Sequence, residues 1–180
     1  MQWLNEPADW NHDTDTMQFT SDPHTDFWRL TLCGEIHDNG HFYYRRVKGD
    51  FTTEVRLSGD YRELYDQSGL MVRRNETCWM KCGIEYVEGI WNVSAVVTRD
   101  WSDWSMIALP GRDPVSVRVR RQGSAFEVYY SMNGDDYIVY RQAYLTDVST
   151  LDVGLMIASP TGQGFTAQFE DFQLREMSGG

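Results

Sequence analysis

The feature that most restricts the fold of this 180-residue chain is an alternation of apolar and polar side chains that recurs along its whole length. Residues 51–58 (FTTEVRLS) and residues 115–121 (VSVRVRR) both follow it. A period of two residues is that of a half-buried β-strand, and helical periodicity is almost absent. About ten to twelve strands are expected, with turn residues between most of them. The pattern predicts an all-β sandwich or barrel of antiparallel strands.

Two local signals refine this prediction. Asn133-Gly134 lies between two alternating runs, and this dipeptide favours a two-residue hairpin turn in which both residues have positive φ. After Phe169 the alternation restarts one residue late. The shift predicts a β-bulge at Glu170-Asp171.

Size and charge restrict domain organisation and partners. Residues 1–180 are expected to form a single domain, since all-β domains often reach this length. Lys and Arg number 16 against 27 Asp and Glu, so the net charge is −11 and an anionic nucleic acid or membrane surface would be repelled. Neither an apolar N-terminal leader nor an 18-residue apolar run is present. We therefore expect neither nucleic acid nor membrane as a partner.

The three cysteines indicate a reducing environment. Cys33, Cys78 and Cys82 cannot all pair, which together with the missing leader favours the cytoplasm. Cys78 and Cys82 lie on one face of a strand, as small core residues do. No second cysteine pair suggests a zinc site, and no glycine pattern suggests a phosphate loop. We expect no metal and no cofactor.

The stretch HDNGHFYY, residues 37–44, concentrates histidines and aromatic rings. A three-residue hairpin loop at residues 38–40, with Gly40 in the left-handed conformation, would place His37 opposite His41 on a polar face. One interpretation is an exposed hairpin tip; the other is a histidine pair that contacts a ligand. A metal bound by this pair would lack a third protein ligand.

The stretch WMKCGIEYV, residues 79–87, carries the strongest sign of a binding face. Its alternation turns Trp79, Lys81 and Glu85 away from the core. A lysine and a glutamate beside a tryptophan need partners from neighbouring strands or from a ligand. The alternative is a solvated face with ion pairs worth less than about 1 kcal/mol.

The stretch RDWSDWS, residues 99–105, is interpreted as a polar loop that holds Trp101 and Trp104. Exposed indoles near carboxylates and hydroxyls are suited to stacking on sugar rings while polar groups bind the sugar hydroxyls. The alternative is that the rings fold over the sheet edge as part of the core.

Seven phrases, taken together, resemble the regulation-of-enolase protein 1-like family. They run in order from about Trp3 to about Phe172: WLNEP, TDFWR, DNGHFYY, YDQSGLMVR, WMKCGIEYVEG, VVTRDWSDWS and ASPTGQGF. The resemblance implies a concanavalin A-like lectin/glucanase jelly roll, an all-β sandwich of two antiparallel sheets, one of them concave. It implies a fold more than a function. The glucanase strand pattern Glu-x-Asp-x-x-Glu is missing here and Glu85 lacks its partner acid, which counts against glycosidase activity.

The first functional hypothesis is a carbohydrate-binding or carbohydrate-sensing module whose ligand lies across the concave face. Trp79 or Trp101 would stack on sugar rings, and polar side chains would bind the hydroxyls. The residues expected to contact the ligand are His41, Tyr43, Gln67, Trp79, Lys81, Glu85 and Trp101.

The second hypothesis is an enzyme acting on a sugar or sugar acid, with Glu85 as general acid or base. Lys81 would hold Glu85 ionised, which suits a base. Glycoside hydrolysis needs two carboxylates about 5.5 to 9.5 Å apart. No local pair has that spacing, and a long-range pair of Asp66 with Glu85 stays open.

The third hypothesis is a protein-interaction domain, with a homodimer formed through a sheet edge or face. Exposed aromatic side chains suit a protein partner as well as a sugar.

Overall fold

Two seven-stranded antiparallel sheets and one two-stranded sheet make up the protein in a computed structural model that describes residues 1–177. In chain order the strands are β1 (Gln2–Leu4), β2 (Asp9–His12), β3 (Thr16–Thr20), β4 (Phe27–Arg29), β5 (Ile36–Asp38), β6 (His41–Lys48), β7 (Phe51–Gly59), β8 (Gln67–Asn75), β9 (Cys78–Val87), β10 (Ile90–Arg99), β11 (Trp101–Ala108), β12 (Val115–Gln122), β13 (Ala125–Ser131), β14 (Ile138–Tyr144), β15 (Thr150–Ala158) and β16 (Thr166–Glu176). The expectation of ten to twelve strands was too low, because β1, β2, β4 and β5 have only three or four residues each.

The two large sheets stack as a sandwich, which confirms the predicted fold class. The first sheet has the order β1-β6-β15-β8-β9-β10-β11, and the second has the order β14-β13-β12-β7-β16-β3-β2. Neighbouring strands are antiparallel throughout both sheets. Among residues 1–177 there is no helix of the length and hydropathy that a membrane crossing requires.

The alternating side chains meet between the two sheets in one continuous core. From the second sheet, the three valines of β12 enter it, and from the first sheet Met80, Cys82 and Ile84 of β9 do so. Burial of Cys82 raises the pKa of its thiol to about 12, as in a structural rather than a reactive cysteine. Removing these apolar surfaces from water is the main favourable contribution to the folding of such a sandwich.

The bulge and the hairpin predicted in the second half of the chain are both found in the structure, but the hairpin turn is longer than predicted. A register shift between β16 and β7 lies between Glu170 and Gln173, and Asp171 has a φ of 53°, so the bulge prediction is confirmed. Strands β13 and β14 form a hairpin, with Gly134 at a φ of 84°. Its connection runs over residues 132–137, however, because Ser131 and Asn133 side chains accept backbone hydrogen bonds and build a wider turn.

The two-stranded sheet belongs to a segment that we call the flap, residues 26–40. Here β5 pairs with β4, whereas β6 pairs with β1 and β15 in the first sheet. The predicted hairpin between residues 37 and 41 is therefore wrong, since the chain passes from one sheet to another at this point. Gly40 does not have a positive φ; a Cβ at this position would overlap the ring of Phe27.

Several contacts hold the flap against the outer face of the first sheet, which is the face turned away from the main core. Phe27 is fully buried there in a second, smaller core, with its ring centroid 6.2 Å from that of Trp79. Arg73 donates to both oxygens of Asp38, at 2.7 and 2.8 Å. Ser102 on β11 accepts a hydrogen bond from the flap backbone at 2.9 Å. The flap is thus fixed to β8, β9 and β11.

Candidate functional site

Between the flap and the first sheet lies a hollow of about 350 Å³, which we call the flap pocket. Its floor is the outer face of β8 to β11, one wall is the flap, and the opposite wall comes from the loops before β8 and after β15. The side chains around it are Asp26, Trp28, Thr31, Leu32, Cys33, Glu35, His37, Tyr65, Gln67, Lys81, Glu85, Val96, Trp104, Pro160 and Thr161. Aromatic rings and a few converging polar groups are typical of a small-molecule site.

On the floor of the pocket, Lys81 is bound to the flap. Its Nζ donates to Asp26 Oδ1 at 3.1 Å and to the Phe27 carbonyl oxygen at 2.6 Å, and the side chain is almost fully buried. Gln67 on the neighbouring strand donates to the Tyr65 carbonyl at 3.1 Å, and its Nε2 lies 3.4 Å from Asp26 Oδ1. A buried charge of this kind is tolerated because an opposite charge and hydrogen bonds surround it.

Glu85 is a buried carboxyl group at the other end of the floor. It pairs across the strands with Gln67 on one side and Asn92 on the other, and its Oε2 accepts a hydrogen bond from Trp104 Nε1 at 2.9 Å. Burial raises the pKa of this carboxyl, although the charge of Lys81 and hydrogen bonds from Ser94 and Trp104 oppose the rise. The charge of Lys81 lowers the pKa of Glu85, as expected, but the loss of water around the buried carboxyl outweighs this effect.

Three aromatic side chains line the pocket. Trp28 lies on the flap, where its Nε1 donates to the Thr31 carbonyl at 2.9 Å. Tyr65 and Trp104 meet edge to face, with ring centroids 6.2 Å apart. Tyr65 has a φ of 69°, which is unusual for a bulky side chain. The Tyr65 backbone N–H donates to the Tyr86 carbonyl at 2.7 Å, which holds this conformation.

Of the seven residues expected to contact a ligand, three line the flap pocket: Gln67, Lys81 and Glu85. Trp79 lies on the same face of β9, as predicted, but is fully buried in the small core under the flap. It supports the Lys81 ammonium, whose Nζ is 5.6 Å from the centre of the indole. The prediction that Trp79 stacks on a sugar ring is therefore wrong, because Phe27 already covers this part of the face.

His41 and Tyr43 do not share the face of Lys81. Phe42 faces the flap, so the alternation of β6 turns both of its neighbours to the opposite side. Tyr43 packs on Trp3 in the main core, with ring centroids 4.8 Å apart. His41 is buried, with Nε2 accepting from the Asp22 N–H at 2.9 Å and Nδ1 donating to the Asn5 carbonyl at 2.6 Å. Both residues are structural in this position.

The two tryptophans of residues 99–105 lie on strand β11 and not in a loop. They are three residues apart, so they point to opposite faces of the strand. Trp104 lines the pocket, whereas Trp101 is 60% exposed and lies outside it. Asp66, which the sequence left open as a partner of Glu85, accepts a hydrogen bond from the Ser159 hydroxyl at 2.6 Å and is not among the residues that line the pocket.

Three residues that define the pocket, Asp26, Trp28 and Tyr65, were not singled out from the sequence, and Trp104 was named as a stacking candidate but left out of the seven expected contacts. Trp104 would have been selected if residues 99–105 had been interpreted as a strand, since Asp100 forms a tight turn with a φ of 63°. Asp26 and Trp28 gave no such signal, because their place above β9 depends on the docking of the flap. Within residues 1–177 no group of three or more His, Cys, Asp or Glu side chains is arranged to hold a metal ion.

Comparison with known proteins identifies relatives over almost the whole chain. The family described as protein of unknown function (DUF1349) matches residues 3–177. Regulation of enolase protein 1 from Saccharomyces cerevisiae is 33% identical over 174 residues, which cover 96% of this chain and 87% of the yeast protein.

Solved structures share the fold. A crystal structure described as a functionally unknown protein from Saccharomyces cerevisiae superimposes with a TM-score of 0.94 at 32% identity, over 99% of this chain and 97% of that chain. A GH43 protein from Bacillus licheniformis superimposes with a TM-score of 0.73 at 15% identity, over 90% of this chain and 33% of the other. At that identity the second likeness concerns the fold alone.

Proposed function

This chain belongs to the family described as protein of unknown function DUF1349, with Regulation of enolase protein 1 as a relative, and we propose that it binds a carbohydrate in the flap pocket. The observation that carries the proposal is the hydrogen bond from Trp104 Nε1 to the buried Glu85 carboxyl at the wall of an accessible hollow. It fixes an aromatic ring and a polar group side by side, which is the combination that binds both the apolar face and the hydroxyls of a sugar.

The pocket residues divide the task of recognition between them. Trp104 and Tyr65 provide aromatic surface against which a sugar ring can pack. Gln67, Glu85 and Asp26 provide donors and acceptors for hydroxyl groups, and their positions are already fixed by contacts within the protein. In this proposal the ligand lies between the flap and the first sheet, and not across the whole outer face.

Two further observations support the proposal. The fold neighbour from Bacillus licheniformis is by its name a GH43 protein, which makes saccharides the first class of ligand to test. Cys33, Cys78 and Cys82 are free, which is in keeping with a cytoplasmic location as part of the proposal.

Titration calorimetry with a panel of neutral oligosaccharides tests the proposal. We expect at least one saccharide to bind the wild type. We expect Trp104→Phe to weaken that binding about tenfold, because it removes the donor that orients Glu85. Trp101→Phe is the matched control on the same strand and should bind like the wild type. An absence of heat with every saccharide, or equal losses in both variants, would contradict the proposal.

A second candidate function is catalysis on a sugar, with Glu85 as general acid. The observation in its favour is the raised pKa of a buried carboxyl in the same pocket as a second carboxylate, that of Asp26. Glycosidases use a buried acid together with a second carboxylate in the same site. Chromatography of oligosaccharides incubated with wild type and Glu85→Gln separates the two functions. Products formed by the wild type alone indicate catalysis, and no products from either leave binding.

A further inference from the structure

The flap covers much of the face on which an extended ligand would otherwise lie. Its Phe27 ring packs on outer-face side chains of the first sheet and removes them from contact with solvent. The sheet residues in this small core are Phe42, Met71, Trp79, Val96, Met156 and Ala158. They come from five strands, β6, β8, β9, β10 and β15. A saccharide chain therefore has no continuous groove along this face.

The hollow that stays accessible is bounded on two opposite sides. The flap bounds the pocket on one side, and Tyr65 with residues 160–161 bounds it on the other. Its volume of about 350 Å³ lies near the lower end of the range for ligand pockets, about 300 to 1,000 Å³. The flap is held by Arg73 on Asp38 and by Lys81 on Asp26 and Phe27, so the volume is set by fixed contacts.

The charges around the pocket restrict the ligand as well. Three carboxyl groups line it, those of Asp26, Glu35 and Glu85, against the ammonium of Lys81 and the imidazole of His37, whose Nε2 lies 3.0 Å from Glu35 Oε2. That ammonium is already paired with Asp26 at 3.1 Å. An anionic sugar would meet no unpaired lysine or arginine among the lining residues, in a protein whose net charge is −11.

Resting on the function proposed above, we infer that the flap pocket takes one terminal ring of a neutral saccharide. An internal stretch of a polymer is excluded by the flap, and a uronate is disfavoured by the lining carboxyl groups. The inference names the class of ligand: the neutral end of a chain, or a free neutral monosaccharide or glycoside.

Calorimetry with matched probes tests the charge part of the inference. The probes are the methyl glycosides of glucose, galactose, mannose and xylose, with glucuronate and galacturonate as charged counterparts. We expect a neutral glycoside to bind at least tenfold more tightly than its uronate. A uronate that binds as tightly as its neutral counterpart, or more tightly, overturns this part.

The size part is tested with the neutral sugar that binds, as its linear hexamer and as its long polymer at equal mass. Recognition of chain ends predicts that binding per gram falls in proportion to the number of ends. Equal binding per gram by hexamer and polymer shows that internal rings are bound and overturns the inference while the proposed function stands. If no saccharide of either charge binds, the proposed function itself is overturned.

Discussion

At Glu85 a carboxyl group lies almost out of contact with water while its Oε2 accepts a hydrogen bond from Trp104. Ionising a group in such surroundings costs free energy, and the charge of Lys81 with hydrogen bonds from Ser94 and Trp104 offsets only part of that cost. The neutral acid is therefore favoured further up the pH scale than in an exposed glutamate. The protonation of Glu85 therefore affects both the stability of the protein and the charge of the pocket.

The protonation of Glu85 should be visible in how the free energy of unfolding depends on pH. Because its pKa is raised in the folded protein, the folded state binds the proton more tightly than the unfolded state does. The resulting stabilisation is complete below the ordinary pKa of glutamate and is lost as the pH rises through the raised value. Urea unfolding of wild type and Glu85→Gln should show the variant gaining in relative stability as the pH rises from about 4 to about 8. If the free energy of unfolding of Glu85→Gln relative to the wild type stayed constant or fell as the pH rose, the account would be contradicted.

The indole of Trp104 should matter more to stability than the indole of Trp101. Trp104→Phe leaves the buried Glu85 oxygen without its donor, so we expect a loss of about 1 to 3 kcal/mol in the free energy of unfolding. Trp101→Phe changes a 60% exposed side chain and should cost less than about 0.5 kcal/mol. Denaturant unfolding of both variants gives the comparison, and equal losses would show that the hydrogen bond is not stabilising.

At the scale of single elements, sequence alternation predicted some faces correctly and others not. The sides of β9 were predictable because Met80, Cys82 and Ile84 are all apolar and can face only the core. On β6 both faces are apolar or aromatic, since Phe42 enters the small core under the flap and Tyr43 the main core. Alternation therefore did not show which side of β6 faces the main core. The predicted hairpin placed His41 and Tyr43 on the wrong face.

The close approach of β8 and β9 depends on a pair of glycines that face each other, Gly69 and Gly83. A Cβ at Gly83 would overlap the carbonyl oxygen of Ser68 on the neighbouring strand. Because the atom in the way is backbone, the strands themselves would have to separate. Gly83→Ala should destabilise the protein by at least about 3 kcal/mol.

Gly111→Ala is the matched control for that substitution, since a Cβ there would come no closer than 3.8 Å to the Asp113 carboxyl. It should change the free energy of unfolding by less than about 0.5 kcal/mol. Thermal or urea unfolding measures both variants. Similar effects of the two alanines would show that the glycine pair is not required for the strand spacing.

The flap should loosen when its anchor is removed. Phe27→Ala creates a cavity in the small core, and a fully buried phenylalanine of this kind is worth about 3 to 5 kcal/mol. Amide hydrogen exchange should rise in residues 26–40 more than in the strands of the main core. Leu32→Ala, at a 99% exposed position of the same flap, serves as control and should leave exchange unchanged. Uniform exchange across the protein in Phe27→Ala would contradict a locally docked flap.

For the molecule as a whole, the alternation of side chains led to a sandwich or a barrel, because these are the few ways to bury such a pattern, and the family resemblance indicated the sandwich. The pocket did not follow, because it is made by residues 26–40 lying over β8 to β11, and no local pattern fixes where a connecting segment docks. Gln67, Lys81 and Glu85 were found since they lie on the sheet itself. Asp26 and Trp28 were missed since they lie on the flap.

Homodimer formation stays a prediction. Exposed apolar side chains, including Ile107 and Ile138, lie on β11 and β14, two of the four edge strands of the large sheets. These edges are where a second copy would pair, as edge strands present unpaired backbone groups. Light scattering at several protein concentrations gives the mass, and a monomer throughout would remove the prediction. The flap pocket is complete within one chain, so carbohydrate binding does not depend on the outcome.

The most direct test of the central claim follows the indole N–H signals of ¹⁵N-labelled protein by NMR during titration with neutral saccharides. The chain has seven tryptophans and thus seven such reporters. Trp28 and Trp104 line the flap pocket, whereas Trp10 and Trp101 lie outside it. We predict saturable shifts of the Trp28 and Trp104 signals with those of Trp10 and Trp101 unchanged. Shifts confined to Trp10 or Trp101, or no shift with any saccharide, would contradict the account.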